Sequence, residues 1–209
     1  MKTIMRFGLA IILGSTISWI FYFFSEFNFK DVFWGTWLFI SLLFLLLIYI
    51  IQKSDTPKFL VWVVGISLFL RLGLGLITTE NLIDWGYDQE PYQSGYLFKD
   101  AYSRDNQAWD LAISDQPIWA AFSSDFFTDQ YGGLLALSSL IYRVFTPNAH
   151  FQINIIFFVT MINVIGILLL AIGLREKNKE IGFSTTSKII ILIFSFYPDA
   201  ILFSASQMR

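Results

Sequence analysis

Cysteine is missing from the 209 residues, histidine occurs once, and proline only five times. Without cysteine there is no disulfide framework, no thiolate zinc ligand and no thiol nucleophile. A lone His150 excludes a histidine-rich metal site within the chain. Charge is scarce as well: 14% of residues are charged, against about 25% in a soluble domain. The net charge is only -2 and no basic tail exists. That excludes the charge-rich disordered and nucleic-acid-binding classes. What the chain has in excess is apolar surface, with 56% hydrophobic and 19% aromatic residues and a mean hydropathy of +0.61. A buried core absorbs part of that excess but not all of it. The composition defines a polytopic membrane protein.

A helical span needs roughly 20 mostly apolar residues to cross a hydrocarbon layer about 30 Å thick. Backbone groups in lipid must be satisfied internally, so long apolar runs are helices. Five good runs occur: Phe7–Phe24, Val32–Ile51, Phe59–Thr79 with Arg71 inside, Phe151–Leu174, and Ile189–Ser206 with Tyr197, Pro198 and Asp199 inside. A sixth, Tyr131–Phe145, is short and carries Arg143 near its end. The first run is read as an uncleaved span rather than a signal peptide. It is longer than a typical apolar signal core, and no small-x-small site precedes Ser25–Asp31. The expected fold is all-α: a polytopic transmembrane helical bundle of five to six spans, with a large outer loop carrying a juxtamembrane amphipathic helix. Residues 1–58 form an N-terminal pair of spans, and residues 59–209 a second module that includes the loop 80–130.

Lys and Arg in short loops set orientation. Lys2, Arg6, Lys53 and Lys58 place the N-terminus in the cytoplasm, so the segment Glu80–Gln130 lies outside. That segment holds ten acids against Lys99 and Arg104, a net -8, which leaves +6 for the remainder. A parity conflict follows. If Tyr131–Phe145 crosses, Arg175, Lys177, Lys179 and Lys188 fall outside, where the charge rule does not want them. Fifteen residues reach only about 23 Å, so either that run does not fully cross or the charge rule fails at this loop. The expected location is the plasma (inner) membrane of a prokaryote. Arg209 directly follows an apolar span with no closing loop, which reads as the front part of a longer protein.

The segment Asp84-Trp85-Gly86-Tyr87-Asp88-Gln89-Glu90-Pro91-Tyr92 is chemically the most informative. Pro91 suits the first turn of a helix, and a helix over about Pro91–Ile113 is predicted. Its stripe of Tyr92, Tyr96, Leu97, Trp109, Ala112 and Ile113 would lie on the membrane surface. Asp88 and Glu90 would sit at its positive N-terminus, and Asp100 and Arg104 at i,i+4 on its face. One reading makes Asp88 and Glu90 a general base or a divalent-cation site with oxygen ligands. The other makes them a solvated acidic loop with a capping carboxylate, and spacing alone favours that one. Arg71 is an intramembrane charge, costly and usually functional, although it could also snorkel to the interface. Asp199 is a second intramembrane charge, and Pro198 before it opens the helix and frees a backbone carbonyl. Gly132-Gly133 suits a tight turn into the next helix. Trp34, Trp37, Trp62, Trp85 and Trp119 read as interfacial anchors. His150, in a short loop after Pro147, reads as incidental.

Several of these residues fall in a familiar order. A span with Arg71 ends at the outer face and is followed by Gly86-Tyr87-Asp88-x-Glu90, then by Lys99-Asp100-Ala101-Tyr102-x-Arg104-Asp105. Asp129-Gln130-Tyr131-Gly132-Gly133 comes next, and Tyr197-Pro198-Asp199 and Ser204-x-Ser206-Gln207-Met208-Arg209 stand near the end. From about Phe59 to Arg209 this resembles the GT-C type membrane glycosyltransferases, in particular family 39-like relatives of protein O-mannosyltransferases and aminoarabinose transferases. The resemblance implies a hexosyl- or pentosyl-transferase that takes its sugar from a polyprenyl-phosphate-linked donor in the bilayer and passes it to an acceptor hydroxyl. It maps the base onto Asp88, with Glu90 as second choice. Arg71, Lys99, Arg104 and Arg209 are the candidates to hold the lipid phosphate. The competing expectation is a transporter or flippase that brings Arg71 and Asp199 together near the midplane. A third is an anchor or assembly subunit that needs neither arrangement.

Overall fold

The computed structural model describes residues 2–23, 28–123, 125–126, 132–175 and 183–207. Among the described residues all regular structure is helical. In chain order the helices are α1 Lys2–Phe23, α2 Phe29–Lys53, α3 Lys58–Trp85, α4 Lys99–Ile113, α5 Gly133–Phe145, α6 Ile153–Leu174, α7 Thr185–Phe196 and α8 Pro198–Ala205. Short 3-10 turns stand at Tyr92–Ser94 and Ile118–Phe122. Four helices, α1, α2, α3 and α6, are long and apolar enough to cross a membrane. The pair α7–α8, bent by 41° at its break, supplies a fifth if it acts as one span. The chain is thus an all-α polytopic bundle with the lower of the two expected span counts.

Helix α6 is the axis of the bundle. Ile155, Ile156, Phe157, Met161, Val164 and Leu168 are all buried, and α2, α3, α7 and α8 pack around it. Helix α1 pairs chiefly with α2 and turns Met5, Phe7, Ile12 and Trp19 outward. An apolar outward face fits a lipid surround, because lipid tails are as apolar as leucine.

The short run is a 13-residue helix, about 20 Å long. It packs mainly against α4 and the 3-10 turn Ile118–Phe122. At its far end Phe145 abuts α2 so closely that a Cβ on Gly35 would stand 1.5 Å from the Phe145 carbonyl oxygen. Only a glycine permits that approach. Helix α5 therefore belongs to a layer of short elements across one end of the bundle and is not a further traverse. At the opposite end, Nη1 of Arg175, just after α6, donates to the Ser54 carbonyl at 2.8 Å. That bond places the end of α6 beside the α2–α3 turn, and the parity conflict disappears. Lys53, Lys58 and Arg175 now share one basic end. The described residues of the 80–126 segment gather at the other, acidic end. Lys177 and Lys179 lie outside the described residues, as do Phe24 and the Asp129-Gln130-Tyr131 triplet.

The helix predicted from Pro91 is corrected. Pro91 opens only the 3-10 turn Tyr92–Ser94, which Gly95 ends at φ 75°. In that left-handed region a helix cannot continue, and a side chain is strained. Helix α4 starts afresh at Lys99. Its buried face is Ala101, Arg104, Asp105, Ala108, Leu111 and Ala112, turned onto α5. The apolar stripe expected on the membrane surface does not share one face: Tyr96 and Ala112 are buried, while Ile113 is exposed. Gly132 does form a tight turn into α5, at φ 65°.

Candidate functional site at the acidic end

Side chains 9, 37 and 45 positions away in sequence meet at one carboxylate. Asp105, on α4, is buried. It accepts from the Tyr96 hydroxyl, from the Tyr142 hydroxyl at 2.8 and 2.9 Å, and from Nε2 of His150 at 3.0 Å. A carboxylate only accepts, so Nε2 carries the imidazole proton in this pair. The His150 ring stacks on Trp109 with centroids 5.3 Å apart and planes 8° from parallel. Tyr142 meets both rings edge-on, at 5.6 and 5.2 Å. Burial and the neighbouring Asp105 push the Tyr96 and Tyr142 hydroxyls well above the usual phenol range. Both therefore stay protonated and stay donors.

The basic residues take separate places. Arg104 is buried one position before the hub residue, and its Nη2 donates to the Gln207 carbonyl beyond α8. Arg143, from α5, caps the C-terminal end of α4 through the carbonyls of Leu111 at 2.5 Å, Ala112 at 3.1 Å, Ser114 at 3.2 Å and Gln116 at 2.9 Å. A cation there satisfies free carbonyls and complements the helix dipole. Lys99 stands exposed on the first turn of α4. Arg209 lies outside the described residues.

Asp88 and Glu90 are both exposed on the segment that leads from α3 into this layer. Glu90 accepts from the Ser94 hydroxyl at 2.9 Å. Neither lies at the start of α4. The carboxylate in that first turn is Asp100, because the Gly95 turn intervenes. Among the described residues no group of three or more metal-ligating side chains gathers. Behind Tyr96, a crevice of about 10 Å³ lies among Thr79, Gly95, Gln152, Ser206 and Gln207, room for about one water.

Arg71 is apart from all of these. It sits halfway along α3 and does not snorkel, being 1% exposed. Its Nη1 donates to the Ser195 carbonyl at 2.8 Å and to the Ser67 hydroxyl. The Ser67 hydroxyl donates to the same carbonyl at 3.2 Å. Ser195 lies in the last turn of α7, whose carbonyls lose their helical partners at the α7–α8 break. The carbonyl that Arg71 takes up is thus one opened by the break, while the missing N–H of Pro198 itself frees that of Phe194. Asp199 is exposed and hydrogen-bonded by Tyr197, and it forms no ion pair with Arg71.

Sequence reasoning missed Asp105 as the hub and treated His150 as incidental. Positions 96, 105, 142 and 150 follow no helical or strand period. Only the scarcity of histidine, with a flanking aromatic-rich helix, pointed toward it.

These features define the class: a multi-pass helical membrane protein whose one end carries a packed polar layer. No family model matches the chain, and no curated protein or solved structure matches it either.

Proposed function

We propose that the acidic end is the working face of a membrane glycosyltransferase that uses a polyprenyl-phosphate-linked sugar. The observation that carries this reading is the layer itself. Short helices and turns at one end of a transmembrane bundle are locked by buried polar groups around Arg104 and Asp105, while Asp88 stays exposed on the strap leading into them. A lipid-borne donor presents its phosphate and sugar at that depth, where headgroups meet water. A pre-organised polar layer holds reacting groups without reorganisation at the moment of reaction.

The chemistry balances as follows. The acceptor oxygen attacks the anomeric carbon, the bond from that carbon to the phosphate oxygen breaks, and the lipid phosphate leaves with the electron pair. Asp88 takes the acceptor's proton, with Glu90 as its neighbour. Lys99, exposed on α4, faces the growing phosphate charge. Arg104 holds α4 against the segment after α8 and so positions the layer. By the charge rule the basic end is cytoplasmic, which puts the reaction on the outer face of a prokaryotic inner membrane.

The test is transfer of radiolabelled sugar from a polyprenyl-phosphate donor in membranes containing the complete protein. Asp88→Asn is expected to lower the rate by about 10²–10⁴-fold, the usual worth of general-base help. Full activity in that variant sinks the assignment. The transporter reading relies on Arg71 and Asp199 acting together, and no ion pair joins them.

A further inference from the structure

A lateral groove opens between α3, α6 and the α7–α8 break. It holds about 350 Å³ and is lined by Arg71, Asn163, Gly166, Ile167, Leu170, Phe194 and Ala200 among others. Three helices agree on its depth. Arg71 lies 13 residues from the start of α3, about 20 Å along it. Helix α6 runs the other way, so Gly166, eight residues before its end, lies about 12 Å from the same basic end, and Ser195 lies about 15 Å into α7. The groove is therefore near the bilayer midplane, roughly 15 Å from either headgroup layer.

A buried cation at that depth is costly unless an anion joins it. Arg71 is 1% exposed, its described bonds run through Nη1, and its Nε is buried without a partner. The Ser195 carbonyl solvates the charge but does not neutralise it. Around it the walls are shaped for close approach. A Cβ built on Gly166 meets nothing within 4 Å, and Ile162, Gly166, Leu169 and Gly173 make an exposed stripe at helical spacing on α6. Small residues at a helix face let a second backbone come near, the usual basis of association in lipid.

We infer that this groove receives a transmembrane helix from outside this chain that carries one carboxylate near its middle, which pairs with Arg71. The depth selects the source of the anion, because a lipid phosphate stays at the headgroup layer while a side chain on a spanning helix reaches the midplane. This inference does not depend on the transferase reading.

The experiment uses the whole chain in lipid vesicles with a designed Leu/Ala spanning peptide as probe, bearing a central Asp, Asn or Leu. The absence of cysteine lets one introduced thiol, Asn148→Cys, carry a donor fluorophore, and the peptide carries the acceptor. The Asp peptide is expected to associate about tenfold more tightly than the Leu peptide, the scale of one good polar contact between helices in a membrane. Arg71→Met removes that advantage. Gly166→Phe, at a position where an added Cβ meets nothing within 4 Å, projects its ring into the groove and abolishes association with Arg71 still in place. Equal association of the Asp and Leu peptides, an Asp advantage that survives Arg71→Met, or full association in Gly166→Phe overturns the proposal. So does a tenfold gain for the Asp peptide in Asp199→Asn, because Asp199 would then be shown already to neutralise Arg71.

Discussion

Replacing Asp105 by alanine removes the acceptor of three donors at once, and the burial of each donor sets the cost. Tyr142 is fully buried and Tyr96 nearly so, so each hydroxyl is left without an acceptor, at about 1–3 kcal/mol apiece. His150 is 24% exposed and turns its Nε2 to water, adding little. The total is about 2–6 kcal/mol. The loss is local, because the hydrogen bonds of Asp105 join α4, α5 and two connecting segments and run to none of the spans. The polar layer should therefore open as a unit while the bundle persists. Amide hydrogen exchange in detergent reads this directly. Protection of α4 and α5 should fall by at least about 30-fold, 2 kcal/mol at about 1.4 kcal/mol per decade, with α6 unchanged. Asp105→Asn keeps one acceptor oxygen and should fall between the two. If Asp105→Ala leaves α4 protection within threefold of the parent, the hub does not hold the layer and the reasoning fails.

The raised Tyr96 and Tyr142 groups give a sign for pH. Their folded forms bind protons more tightly than an unfolded tyrosine, so their contribution is complete below about pH 10 and is lost as pH rises beyond it. Tyrosinate absorbance should show Tyr96 and Tyr142 resisting ionisation until the layer opens, and their ionisation in the ordinary phenol range with the layer intact would contradict the burial. Gly35→Ala drives a methyl into the Phe145 carbonyl and should destabilise the α2–α5 contact by about 1–3 kcal/mol or more, seen as a lower thermal midpoint in detergent. An impermeant thiol reagent should label Asp55→Cys and Thr186→Cys from one side of the membrane and Asn148→Cys and Asp115→Cys from the other. Mixed labelling would break the crossings assigned to α3 and α6.

The spans were legible because lipid imposes a length and a composition. Val32–Ile51 became α2 Phe29–Lys53, and Phe151–Leu174 became α6 Ile153–Leu174. Pro198 announced its break because it lacks the N–H a helix needs. The start of α4 was not legible: Pro91 and Gly95 are both helix-boundary residues, and choosing between them requires the backbone angle at Gly95. The partner of Arg71 lies 124 residues away at Ser195, and no pattern links the two. Asp105 resembled its nine acidic neighbours until the fold buried it against two phenols. Asp88 and Glu90 stand out in sequence because they are local, and they remain on the surface.

The bond between Arg71 and Ser195 also imposes an order on how the chain is made. Arg71 enters the membrane with α3, and the carbonyl that receives it is translated 124 residues later. At about 5–20 residues per second that is an interval of roughly 6–25 s. During it the guanidinium has none of its mature partners from α7 and must be held by the insertion machinery or by water drawn into the bilayer. The completion of α3 as a lipid-embedded helix is thus a late event, timed by the synthesis of a different one.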